Sequence, residues 1–216
     1  IELANIRPPY SAMDIGFRIG PRLNAAGRID TAGKALELLL STDPAKAMGI
    51  ADELEERNRQ RQDLERRTTA EALEMIDNGQ FGADHMGLVL GKRGWHPGVV
   101  GIVASRISKK IHRPVFIVAI DENGLGKGSG RSIEGISLVE VISAGDQFLI
   151  SGGGHHMAAG ISIHENQIGG FHDHLCAYVS SNSDQDCLSP KLRLDAECPL
   201  SELHLDLLDH YSKLEP

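Results

Sequence analysis

The chain has 216 residues, of which 41% are hydrophobic and 4% aromatic, so it can bury one sizeable core of aliphatic side chains. Its three cysteines (Cys176, Cys187 and Cys198) form no spaced metal motif and leave an odd thiol, which favours a reducing cytosol over secretion. No apolar run approaches the roughly 18 residues of a membrane span and the N-terminus lacks signal-peptide order, so we expect a soluble, cytoplasmic protein. The chain starts without methionine and stops at 214–216 with no helix-end signal, which indicates a piece of a longer polypeptide.

Charge is unevenly distributed along the chain. The net charge of −8 argues against a nucleic-acid partner, but residues 91–131 hold eight basic and two acidic side chains, whereas 165–216 hold ten acidic and three basic ones. One region could therefore attract phosphate while the whole chain is acidic. Charge alone favours the simpler interpretation, two solvated faces of opposite sign.

The first dense motif is F-R-I-G-P-R-L-N-A-A-G-R-I at 17–29. It contains Arg18, Arg22 and Arg28, with Asn24 between them. Its spacing predicts no definite conformation. The non-functional interpretation is a proline-broken loop whose arginines pair with carboxylates elsewhere.

A long polar helix is predicted over 44–77, after a short helix at 31–40. Asp43 is a suitable N-cap and Pro44 suits the first helical position. The helix would be about 50 Å long, and its middle is polar on all sides, as in a helix that spans solvent between two domains. Helical pairs at i, i+4 would support it: Glu53 with Arg57, Glu55 with Arg59, and Asp63 with Arg67. A coiled coil is the weaker alternative because no apolar seam is sustained through 55–69.

The remainder reads as an α/β unit. The predicted elements are a strand at 86–91, a loop at 91–98, a helix at 99–111, a strand at 114–120, a hairpin turn at 121–124, a further segment at 125–132, a helix at 137–144, a strand at 159–164 and a helix at 165–180. A linker at 180–186 then precedes a leucine-rich segment.

Ten histidines invite a metal interpretation, which their spacing does not support. His155 and His156 are adjacent and diverge, and His172 and His174 face different sides of a helix. We therefore do not expect these histidines to form a metal site.

Three glycine-rich or basic elements favour phosphate binding instead. S-G-G-G-H-H at 151–156 offers glycine amides and a short helix from His155, whose N-terminus would attract an anion. G-K-G-S-G-R-S offers Ser129, Arg131 and Ser132, with Ser129 and Arg131 on one face of a strand. The loop before the helix at 99–111 carries Lys92, Arg93, Trp95 and His96. Trp95 could stack on a base, although a packing role is the more common one.

These motifs, in this order, resemble the RecJ family of single-strand-specific 5′→3′ DNA exonucleases, in the DHH phosphoesterase superfamily. The resemblance rests on G-P-R-L-N-A-A-G-R, the long polar helix, G-W-H-P-G-V-V-G-I-V-A-S-R, G-S-G-R-S and G-G-H-H-M-A-A-G. The last motif alone is shared with oligoribonucleases, cyclic-dinucleotide phosphodiesterases and the C-terminal part of alanyl-tRNA synthetases.

The resemblance implies an α/β fold in which a long bridging helix leads into a compact mixed-sheet DHH-associated domain. It implies four parts: 1–30, the tail of a catalytic domain with the arginine motif; 31–78, connecting helices; 79–183, the DHH-associated domain; and 184–216, the truncated start of an oligonucleotide-binding barrel. It also implies a set of nucleic-acid-binding residues. They are Arg22, Asn24, Arg28, His96, Ser129, Arg131, Ser132, Gly153, Gly154 and His155.

The domain that binds metal in this family is missing from this chain. Mn²⁺ or Mg²⁺ is expected in that missing domain, and no cofactor is expected in this chain. The chain alone would bind single-stranded DNA without cutting it. The full-length protein would be a metal-dependent exodeoxyribonuclease of DNA repair and recombination. A repair helicase or a single-strand-binding protein is a candidate partner, and we expect a monomer. The alternatives are the matching domain of an oligoribonuclease or cyclic-dinucleotide phosphodiesterase, and a non-catalytic regulatory module.

Overall fold

The computed structural model describes residues 1–80 and 85–214 and has an α/β architecture. Helices in the N-terminal part lead into one long helix, which precedes a five-stranded mixed sheet flanked by helices. The helices are α1 (Ala12–Asp14), α2 (Gly20–Ile29), α3 (Gly33–Leu40), α4 (Pro44–Met75), α5 (Val100–Ile111), α6 (Leu138–Ala144), α7 (Ile168–Asn182) and α8 (Leu205–Tyr211). The strands are β1 (Leu88–Arg93), β2 (Val115–Ile120), β3 (Leu125–Arg131), β4 (Ser151–Gly154) and β5 (Ala158–His164). The predicted fold class is confirmed.

The sheet has the strand order β1-β2-β3-β5-β4. β1 and β2 are parallel and joined through α5, and the other pairs are antiparallel. The predicted hairpin turn between β2 and β3 forms because the Asp121 carboxylate accepts the amides of Asn123 and Leu125 at 2.9 Å. Gly124 completes it with a φ of 77°, a value that favours glycine.

The two faces of the sheet are covered differently. One face, called the closed face here, packs against α6 and α7 through fifteen buried residues, among them Phe116, Ile161 and Phe171. The opposite face is apolar only on β1 and β2, where α5 and the end of α4 cover it around Ile117 and Val103. On β3, β5 and β4 this opposite face carries small and polar residues.

The glycines of β3 belong to the closed face. A side chain at Gly130 would overlap the Phe116 ring, and a Cβ at Gly128 would lie 2.8 Å from Ile161. β3 is also paired on both sides, by β2 and β5. These glycines therefore make room for large core side chains, and β3 contributes to an anion site through its side chains on the other face.

The long helix is confirmed, but its middle does not simply span solvent. Asn58, Glu65 and Thr68 are buried because α4 packs against α2 and α3 with its first half and against α5 with its second. Only one of the three predicted pairs forms, Arg59 with Glu55 at 3.4 Å.

The other two predictions of i, i+4 pairing are wrong because competing partners are available. Arg57 pairs with Asp30 and Glu53 with Lys34, both across to neighbouring helices. Asp63 pairs with Arg66.

Two local predictions are corrected by the structure. Residues 151–164 form a hairpin of β4 and β5 in which the His155 amide donates to Ala158, so no helix starts at His155. Residues 20–29 form α2 with Pro21 in its first turn, so the proline starts a helix and does not break one.

The C-terminal part carries little regular structure. Residues 187–214 contain 3₁₀ turns and α8, with no strand in this described stretch, and the predicted barrel remains a prediction. Among the residues described, no helix combines the length and apolar character needed to cross a bilayer.

Candidate nucleic-acid interface

Ser129 and Arg131 lie at the centre of the candidate site, on the β3 face opposite the closed face. Strand alternation points both side chains the same way, and Arg131 Nη1 donates to Ser129 Oγ at 3.0 Å and to the Gly130 carbonyl at 2.7 Å. Gly101, in the first turn of α5, touches them: a Cβ there would lie 3.1 Å from Ser129 Oγ and 3.2 Å from Arg131 Nη2. The start of α5 therefore lies directly over the pair.

Arg28 brings a second cation to the same place. Its Nη1 donates to the Gly98 carbonyl at 3.4 Å, and a side chain at Gly98 would overlap the Arg28 backbone. Burial, and then the positive charge of Arg28, lower the pKa of the Arg131 guanidinium. Two like charges held this close favour an anion between or beside them.

The N-terminus of α5 adds a positive dipole. No side chain caps this twelve-residue helix. The Ile102 amide donates to the Val99 carbonyl at 2.9 Å, so the helix amides left for a ligand are those of Val100 and Gly101. Before it, His96 Nδ1 accepts the Gly98 amide at 3.0 Å, which leaves Nε2 as the donor of the neutral ring. His96, the helix start and both arginines therefore present donors to one region.

Beside this cationic group lies a surface of small and polar residues, here called the polar shelf. It consists of Lys127, Ser129, Arg131, Ser151, Gly153, Ala158, Gly160 and Ser162, which the pairing register places on one face of β3, β5 and β4. Ser129 pairs with Gly160, and Gly160 pairs with Gly153, so the three form one row about 10 Å long. A Cβ at Gly153 would meet nothing within 4 Å, so the surface there is open.

His155 extends the neighbouring row. Arg131 pairs with Ala158, and the His155 amide donates to the Ala158 carbonyl at 2.8 Å. His155 therefore lies across β5 from Arg131 and is exposed. The adjacent His156 accepts or donates a hydrogen bond at 2.9 Å with Ser137 and lies apart from the shelf.

The structure does not bring every candidate residue to this place. Arg22 Nε donates to Glu55 on α4 at 2.5 Å, and Ser132 Oγ donates to the Ile136 carbonyl at 2.7 Å. Gly154 packs against Ala159 with a φ of 148°. Asn24 is exposed one turn before Arg28 on the same side of α2.

The basic loop contributes less than its composition indicates. Lys92 pairs with Glu71 at 2.9 Å and Arg93 with Glu165 at 2.6 Å. Trp95 is buried and its indole N–H donates to Glu71 at 2.8 Å, so it is the packing residue rather than an exposed stacking platform. Part of the local positive charge is therefore neutralised.

Sequence reasoning missed the β5 side of the shelf. Gly160 and Ser162 alternate with the buried Ile161 and Ile163. This period of two was readable in A-G-I-S-I-H, and assigning its small residues to the solvent face would have identified them.

One cluster has donor atoms suited to a metal. His85, His172 and Cys176 place their ligand atoms within 4.8 Å of one another. His172 Nδ1, however, accepts the Val89 amide at 3.2 Å, so the proton of the neutral ring is on Nε2, the atom 3.0 Å from His85 Nδ1. A metal at Nε2 would have to displace that proton and break the Val89 bond, so the geometry favours a hydrogen-bonded core cluster.

The chain is similar to known proteins in sequence. A DHHA1 domain model matches residues 84–181. The single-stranded-DNA-specific exonuclease RecJ of Bacillus subtilis is 36% identical over 203 residues, covering 94% of this chain and 26% of that protein. The protein of that name from Haemophilus influenzae is 37% identical over 203 residues, covering 91% of this chain and 35% of that protein.

Solved structures give the same result. RecJ from Thermus thermophilus in complex with Mn²⁺ superposes with a TM-score of 0.72 at 40% identity, covering 81% of this chain and 25% of that one. The Mg²⁺ complex superposes with a TM-score of 0.74 at 38% identity, covering 84% and 28%. The chain spans about a quarter to a third of the length of these relatives. Residues 84–181 thus match the DHHA1 domain, and by sequence and by fold the chain is similar over most of its length to part of RecJ.

Proposed function

We propose that this chain is the substrate-binding part of a single-strand-specific 5′→3′ DNA exonuclease. The polar shelf seats the sugar-phosphate chain, and Arg28 and Arg131 bind phosphate at its α5 end. The observation that carries this proposal is the convergence of two guanidinium groups and an uncapped helix N-terminus beside a surface cleared by Gly153 and Gly160.

The residues divide into two groups by position. Arg28, His96, Ser129 and Arg131 contact the phosphate, with Asn24, Gly153 and His155 lining the path of the strand. Arg22, Ser132 and Gly154 hold the surrounding backbone, because their polar groups or contacts are directed into the protein. Contacts to phosphate carry no base information, so the binding should be independent of sequence.

Hydrolysis belongs to a metal-bearing domain outside this chain. The RecJ structures from Thermus thermophilus hold Mn²⁺ or Mg²⁺, and two such ions in a nuclease stabilise the attacking and leaving oxygens. This chain would contribute orientation of the strand. Alone it should bind single-stranded DNA, as a cytoplasmic monomer, without cutting it.

The test is fluorescence anisotropy with a 5′-phosphorylated, labelled oligothymidylate at several salt concentrations. We expect affinity to fall as salt rises, and Arg131→Ala to weaken binding about tenfold, the size of a lost charge-assisted hydrogen bond. Arg93→Ala is the matched control, because it removes the same charge from an exposed pair at the other end of the sheet. Binding that ignores salt, equal affinity for duplex, or equal losses in both variants would refute the proposal.

A further inference from the structure

The polar middle of α4 contains a buried carboxylate that links it to α5. Glu65 accepts from Arg61 Nη1 at 2.7 Å, one turn earlier on α4, and from Arg106 Nη2 on α5. Arg61 also donates twice to the buried Asn58 Oδ1, at 3.1 and 3.3 Å. The side chains of Glu65 and Arg61 are only 7% and 11% exposed, so solvent screens this pair within α4 weakly. Arg106, which makes the link to α5, is 53% exposed.

A buried pair of this kind is a poor source of stability. Removing the charges from water costs several kcal/mol, and apolar side chains of similar volume often stabilise a contact as well. Directed hydrogen bonds fix the rotation and axial position of one helix against another more closely than an apolar contact does. The triad therefore adds a directed contact to the apolar packing of α5 on the end of α4.

This placement matters because α2, which carries Arg28, and α5, which covers Arg131, pack on opposite halves of α4. The α2 helix, which carries Arg28, is fixed to the first half of α4 by Arg22 with Glu55 and by Arg57 with Asp30. The α5 helix, which lies over Arg131, packs on the second half. α4 therefore helps to hold the two arginines in one place, together with the direct contact between Arg28 and Gly98.

Like charges at that place repel. Burial, and then the positive charge of Arg28, lower the pKa of Arg131, so the two guanidinium groups interact unfavourably when no anion is present. Something must oppose this repulsion if the site is to exist before its ligand arrives. A second link joins α4 to β1 and to the loop before α5: the Glu71 carboxylate accepts from Lys92 and Trp95. The Glu71 side chain is more exposed to solvent than that of Glu65.

We propose that Glu65 is a positioning residue for phosphate binding. Through Arg61 and Arg106 it holds the start of α5 and Arg131 close to Arg28 in the absence of ligand, so that the anion site is preformed. This inference rests on the proposed function for the identity of the anion. Its structural part, the holding of two repelling arginines, can be measured without DNA.

The experiment compares Glu65→Gln with Glu56→Gln in the 216-residue chain. Both lose one carboxylate charge, but Glu56 is exposed and accepts a hydrogen bond from Gln60 on the same helix at 3.2 Å. Hydrogen exchange of residues 94–101 and the emission of Trp95, the single tryptophan, report on the loop at the site. Circular dichroism confirms that both variants are folded at the temperature used.

We expect faster exchange at 94–101, a red-shifted Trp95 emission and about fivefold weaker oligothymidylate binding in Glu65→Gln, and none of these in Glu56→Gln. The decisive step repeats Glu65→Gln in an Arg28→Ala background. With the repulsion removed, Glu65→Gln should change exchange and binding much less, because the two effects are coupled.

Several outcomes would overturn the inference. Additive effects of the two changes would show that Glu65 contributes only general stability, as would an effect in Glu56→Gln of the same size. If Arg131→Ala leaves DNA binding unchanged, the proposed function fails, and the exchange measurements in the two backgrounds still decide whether Glu65 positions the arginines.

Discussion

The two faces of the central sheet use glycine for opposite purposes. On the closed face, Gly128 and Gly130 leave room for Ile161 and Phe116, and the surface they create is filled from inside the protein. On the polar shelf, Gly153 and Gly160 meet almost nothing, and the surface they create is left to solvent. A glycine-rich strand therefore indicates that another group comes close to its backbone. Whether that group is a core side chain or a ligand depends on the face of the sheet to which the glycine belongs.

The largest effect should come from filling the closed face. Gly130→Ala would push a methyl group into the Phe116 ring in a strand paired on both sides. We expect a loss of about 3 kcal/mol in the free energy of unfolding, measured by urea denaturation, because overpacked cores cannot relax fully.

The control is Gly160→Ala on the same sheet. Its nearest atom would be 3.9 Å from the new Cβ, so its free energy of unfolding should change by no more than about 0.5 kcal/mol. Equal losses in the two variants would contradict the division between the faces.

An intermediate effect should come from filling the shelf. Gly153→Val adds a β-branched side chain to an exposed edge strand with an open surface above it, so the stability should hardly change. Oligothymidylate binding, measured by anisotropy, should weaken about fivefold because the side chain occupies the path of the strand. Unchanged affinity would remove β4 from the interface.

The smallest effect should come from the buried histidine under the closed face. Burial, and then the charge of His85, lower the pKa of His172 below its usual 6.5. The unfolded chain therefore takes up a proton first as the pH falls, so this histidine contributes stability above about pH 6.5 that is lost at lower pH.

His172→Gln should accordingly reduce the drop in melting temperature between pH 7.5 and 5.5. The exposed His204→Gln serves as the control and should leave that drop unchanged. A drop of the same size in His172→Gln and in the original chain would show that other groups dominate the acid response.

Much of the fold was predictable because its signals are local. Asp43 and Pro44 start α4, and the apolar runs at 86–91 and 114–120 correspond to β1 and β2. The hairpin turn after Asp121 follows from Asx chemistry and Gly124. These features depend on residues within a few positions of one another.

The parts that could not be predicted depend on distant partners. Arg57 chooses Asp30 over Glu53 because α2 lies beside α4, and the S-G-G-G segment becomes an edge strand because β5 returns beside it. Ser129 and Arg131 were placed on one face correctly by alternation. Their approach to Arg28 required the packing of α2 against the loop at Gly98, which no spacing in the sequence encodes.

The contact of Gly98 with Arg28 has one more consequence. It joins main chain to main chain, so changing the Arg28 side chain leaves it intact, whereas any residue other than glycine at 98 must push the end of α2 outward. The absence of a side chain at Gly98 is thus one condition for the close approach of α2 to the start of α5. Larger residues at position 98 would move α2 and the start of α5 further apart without changing any charge in the molecule.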